Sequence, residues 1–171
     1  MLIDCSYFTA GPRHIQNATL GTEGLLNQDA LYVKEAIEAY IGSLQEEFLI
    51  EALGHSAGSR VNAYLVCLDE DTNPRHHANL DAVCEQLRES FADYVFYKIL
   101  RDANTQATMT GLVRLKCANE YVSPVQRQVS IWNAMVNKNR RFAEWAKSSE
   151  CGLSGIEVSS NLLTKINTLN L

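Results

Sequence analysis

The sequence predicts a mainly α-helical fold, a bundle of about four helices with a small β-hairpin and extended terminal arms. Three observations predict it. Apolar residues recur at steps of three and four over four long stretches, which places them on single helix faces. One short Thr-rich stretch, 105–117, breaks that period. Hydrophobic residues make up 46% and charged residues 20% of 171 residues, which suits one globular domain rather than a disordered chain. The expected organisation is a single domain, 1–171, divided into an N-terminal arm (1–26), a helical body (27–148) and a C-terminal arm (149–171).

Taken in order, residues 1–26 carry only a short alternation, Ile3, Cys5 and Tyr7, before a Gly11-Pro12 turn. The first helix, about 29–53, starts at Asp29 as N-cap and buries Val33, Ile37, Tyr40, Ile41, Leu44, Phe48 and Ala52. Gln45 lies off that stripe, and Gly54 sits where a left-handed residue ends a helix. The second helix, about 58–69, presents Val61, Tyr64, Leu65 and Leu68. The third, about 80–102, is capped by Asn79 and is apolar nearly all round from Phe91 to Leu100, which makes that half the centre of the fold. Residues 105–117 read as a short hairpin, with Gly111 as its bend or a bulge. A fourth helix, about 122–147, opens at Ser123-Pro124 and buries Val125, Val129, Trp132, Val136, Phe142 and Trp145. Ile156 and Val158 suit a last strand.

Several function classes lose support here. The net charge is −5, unlike a protein whose affinity comes from neutralising nucleic-acid phosphates. Cys5, Cys67, Cys84, Cys117 and Cys151 are odd in number and lack the paired spacing of a zinc site or a disulfide framework, so a reducing compartment is expected. The first residues lack the cationic and apolar regions of a signal peptide, and no apolar run is long enough for a membrane span. Gly54 to Gly58 matches G-x-S-x-G, but a helix precedes it where a nucleophile elbow needs a strand, so Ser56 reads as a turn residue. Asp69, Asp71 and Asn73 open like a calcium loop that fails at Pro74 and Leu80. His76 and His77 are adjacent and point apart on any regular element, so no metal site is expected. No catalytic residue, cofactor or metal ligand is assigned, and the chain is read as a non-enzyme.

Lys138, Arg140 and Arg141 form the one dense cationic cluster. It reads either as a solvated helix face or as a contact with an acidic partner or DNA phosphate. The apolar residues of the arms, Ile3, Tyr7, Phe8, Ile156, Leu162 and Leu169, lack the pattern of an independent core. Leaving them in water is unfavourable by about 25 cal/mol per Å², so they read as assembly arms that find cover on a neighbouring subunit.

Three segments carry a resemblance. They are Met1-Leu-Ile-Asp through Tyr7-Phe8-Thr-Ala-Gly-Pro12; Glu47-Phe-Leu-Ile-Glu-Ala-Leu-Gly54; and the stretch from Phe96-Tyr97 through Thr110-Gly-Leu-Val and Val122-Ser-Pro to Ile131-Trp-Asn-Ala-Met-Val136 and Phe142-Ala-Glu-Trp145. In this order they resemble the small head–tail connector (adaptor, neck-ring) proteins of tailed phages and prophages of Bacteroides-like hosts. The resemblance implies a helical bundle with a small β-element that forms a ring, often of twelve copies, below the portal. It implies self-association and contacts with the portal protein and with tail or further neck proteins, with non-specific DNA contact in the channel, no membrane, and a place in a virion assembled in the bacterial cytoplasm. Two other readings remain open: a small helical enzyme with a site scattered over its helices, and a helical regulatory module binding a host protein.

Overall fold

The computed structural model describes residues 1–18, 28–70, 75–102, 105–108, 111–114, 125–148 and 151–168. Its architecture is mainly helical. Helix α1 (Gln28–Leu53) is followed by α2 (His55–Glu70), α3 (Ala78–Asp102), α4 (Val125–Trp145) and a single turn, α5 (Ser160–Leu163). Helix α3 lies between α1 and α4, and α2 packs back on α1. Strands β1 (Thr105–Thr108) and β2 (Gly111–Arg114) run antiparallel with Thr105 opposite Arg114. Residues 109–110 and 115–117 of the expected hairpin lie outside the described residues.

The core follows from the period-3.6 stripes. Ile37, Ile41, Phe48 and Leu49 of α1, Val61 and Leu65 of α2, and Met135, Val136 and Phe142 of α4 join the buried residues of α3 in one apolar cluster. Every residue from Ser90 to Phe96 is buried. Residues 97–100 are only half-buried, so the centre is the first part of the Phe91–Leu100 run. Aromatic rings link three helices: Phe48 of α1 lies 5.1 Å from Phe91 and 5.3 Å from Tyr94 of α3, and Tyr97 lies 4.8 Å from Trp132 of α4.

Gln45 corrects the sequence reading. It is buried, because its amide oxygen accepts the Leu2 N–H at 2.7 Å and its amide nitrogen donates to Asn62 at 2.8 Å. A satisfied amide tolerates the core where an unpaired one would not. Asn79 is likewise not the cap of α3 but lies within its first turn, donating to the Gly152 carbonyl at 3.3 Å.

The two glycines of the G-x-S-x-G match have separate structural reasons. Gly54 ends α1 at φ +81°, with its N–H on the Ile50 carbonyl at 2.9 Å. Gly58 is buried where α2 crosses α1, and a Cβ there would stand 2.6 Å from the Leu49 carbonyl oxygen and 2.7 Å from the Ile50 Cα. Backbone cannot swing aside as a side chain can. Gly58→Ala should therefore cost about 1–3 kcal/mol, as overpacking does, while exposed Ser56→Ala stays within about 0.5 kcal/mol. Equal melting shifts for the two variants would refute this account of the motif.

The terminal segments also differ from expectation. Ile3 and Phe8, expected on an outward arm, are buried in the chain's own core, as are Leu2 and Cys5; Tyr7 is half-buried against them. Leu162 is fully buried and Ile156 half-buried. Leu169 lies outside the described residues. Within 1–18 and 151–168 the ends thus lie on the body. Grooves between packed helices supply the apolar cover that the sequence reading assigned to a neighbour, and covering residues within one chain costs no association entropy.

Candidate functional site

The cationic cluster on α4 does not act as a unit. Lys138 donates to Asp93 Oδ2 at 2.6 Å, and Arg13, reaching over from the N-terminal segment, donates to Asp93 Oδ1 at 2.9 Å. Glu89 completes the group, 2.8 Å from Arg13 and 3.5 Å from Lys138. Burial alone would raise the Glu89 carboxyl, but the Arg13 hydrogen bond and the Arg13 and Lys138 charges outweigh it and hold it below the ordinary carboxylate range. Arg140 donates to the Leu163 carbonyl at 2.9 Å. Arg141 is exposed and has no ion pair among the described residues. Two of the three cations therefore bind their own chain.

Arg140 belongs to a seat for the C-terminal segment. Trp132 Nε1 donates to the Thr164 carbonyl at 2.9 Å, and Asn139 Nδ2 donates to the Leu162 carbonyl at 3.1 Å. Asn133 both donates to the Ile166 carbonyl and accepts the Ile166 N–H, each at 3.0 Å. Asn139 also accepts the Ser90 hydroxyl, so the buried polar atoms at this crossing are satisfied. Just upstream, the Ser159 N–H meets the Glu51 carbonyl at 2.7 Å, close to the end of α1.

A second feature is a groove of about 720 Å³ between α2 and the start of α3. Ala63, Tyr64 and Leu68 of α2 with Ala78 and Leu80 of α3 give it apolar surface, and Arg60, Arg75, His77 and Cys67 add polar groups. Tyr64 fixes the corner: its hydroxyl donates to Asp81 Oδ1 at 2.5 Å and accepts the His77 N–H at 3.3 Å. The His77 ring stands edge-on to Tyr64 at 5.8 Å, whereas His76 faces Asp81 at 3.3 Å. Arg60 and Arg75 are exposed, and neither has a carboxylate within ion-pair distance among the described residues. The sequence reading singled out neither arginine. The signal was the stripe 60, 63, 64, 67, 68, at helical spacing and cationic at one end.

The other motifs give little. Ser56 lies in the exposed first turn of α2, where Ser59 Oγ and His55 Nδ1 meet at 3.3 Å. Asp71 and Asn73 of the calcium-like match lie outside the described residues. Among the described residues no three His, Cys, Asp or Glu side chains converge to hold a metal. Cys67, Cys84 and Cys151 are free thiols, and burial pushes the Cys84 thiol up to about 11, which suits packing rather than reaction. No described helix is long and apolar enough to cross a membrane.

No protein-family model, curated protein or solved structure matches this chain.

Proposed function

We propose that the chain is a structural virion protein, a head–tail connector whose copies form a ring between the portal and the tail of a tailed phage. Its partners are further copies of itself, the portal protein and tail or neck proteins, and it is assembled in the bacterial cytoplasm. A small hairpin near 105–117 completes the helical body.

The observation that carries this reading is the seat of residues 159–166 on α4. Trp132, Asn133, Asn139 and Arg140 all address main-chain atoms there, with Leu162 as the apolar anchor. A seat of this kind holds a short helical turn and the residues after it by their main-chain atoms, and leaves side-chain identity free apart from the anchor. Connector subunits meet neighbours through such segments, and an equivalent segment from an adjacent chain can make the same bonds. Arg141, exposed and without an ion pair among the described residues, is the residue of the basic cluster that we assign to channel DNA.

The test is to purify the full chain and examine it by light scattering and electron microscopy, alone and with the portal protein of the same genome. A ring with a central opening is expected. A chain that stays monomeric and fails to join the portal overturns the reading.

A further inference from the structure

The groove between α2 and α3 is a local cationic spot on a chain of net charge −5. Its complement lies on the same chain. The outer stripe of α1 carries Tyr32, Glu35, Ala39, Gly42 and Glu46 at steps of three and four, all exposed. Tyr32 is 73% exposed, more than any other large hydrophobic residue among those described. Glu35 and Glu46 have no ion pair among the described residues. Between them the stripe is low: a Cβ built on Gly42 meets nothing within 4 Å. An acidic helix face with an aromatic end and a flat middle suits a groove with apolar walls and two arginines that have no ion pair among the described residues.

We propose that the α2–α3 groove of one copy receives the α1 face of a second copy, Arg60 and Arg75 pairing with Glu35 and Glu46, while Tyr32 covers apolar groove surface. The proposal rests on the connector reading and names the contact that reading requires. The two surfaces are different parts of the chain, so the contact is head-to-tail. Contacts of that kind propagate around a ring, whereas a two-fold contact stops at a dimer. Complementary charge selects this pairing among copies that otherwise repel. A single exposed ion pair contributes little, but in a closed ring every subunit is held on two sides, so modest contacts add up.

The experiment uses the full chain and two charge-reversed forms, Arg60→Glu/Arg75→Glu and Glu35→Arg/Glu46→Arg. All four positions are exposed, and circular dichroism checks that helicity is kept. Sedimentation velocity reads the size of the assembly. Wild type is expected as a large species that dissociates as salt rises, because exposed charges are screened. Each reversed form alone should lose that species, since its groove and α1 face then carry the same charge. An equimolar mixture should regain it, because the groove of each form now fits the α1 face of the other.

A reversed form that keeps the wild-type mass overturns this contact and leaves the ring reading standing. Loss in both forms without recovery in the mixture also overturns the pairing. A wild-type chain that stays monomeric alone and with the portal removes the ring reading, and this contact with it.

Discussion

Phe91→Ala is expected to destabilise the fold by about 3–5 kcal/mol, the usual cost of emptying a buried aromatic site. Phe91 is fully buried at the middle of α3, where its ring lies 5.1 Å from Phe48 of α1. The cavity would open in the part of α3 that is buried on every side, with α1 on one flank and α4 on another. Neighbouring helices cannot close it without breaking their own contacts. Ile99→Ala, although in the same helix, should cost clearly less, because Ile99 is only half-buried. Urea unfolding of both variants checks the order. A loss below about 0.5 kcal/mol for Phe91→Ala, the range of surface changes, would remove α3 from the centre of the core.

The four long helices were legible because their apolar stripes are regular over several turns. Helix α1 begins at Gln28 and α3 ends at Asp102, within a residue or two of what the periodicity indicates. Helix α2 begins at His55 rather than near 58, because the two glycines that bracket its first turn look like a loop. Gly54 does end a helix, but Gly58 serves a helix crossing, and no single sequence distinguishes those roles.

The terminal segments were misread for another reason. Phe8 and Leu162 sit in short apolar patterns, and the grooves that bury them exist only once α1, α3 and α4 have packed. Gln45 was hidden by its polarity. It stands four residues after Ile41 and three before Phe48, on the buried stripe. Asp93 carried a usable signal. A carboxylate among Phe91, Tyr94, Val95 and Phe96 must be buried, and a buried charge needs a counter-charge. That requirement bears directly on Lys138, which the cluster alone left open between solvent, an acidic partner and DNA.

Asp93→Ala is accordingly expected to cost about 3 kcal/mol, the scale seen when one member of a buried ion pair is removed. Asp93 is 3% exposed and accepts from both Arg13 and Lys138, so it ties the N-terminal segment and α4 to α3. Its loss leaves Arg13 with Glu89 as its remaining carboxylate partner. The same group gives a pH dependence. Glu89 titrates below the ordinary carboxylate range in the folded chain, so its contribution is present above that range and is lost as pH falls through the depressed value. The stability gap between wild type and Glu89→Gln should therefore be constant near neutral pH and close on acidification. Thermal unfolding across that pH range checks it. A gap that persists unchanged into acid would mean that the Arg13 and Lys138 contacts to Glu89 contribute nothing through its charge. An Asp93→Ala variant no less stable than wild type would mean that the buried network is dispensable for holding the N-terminal segment on α3.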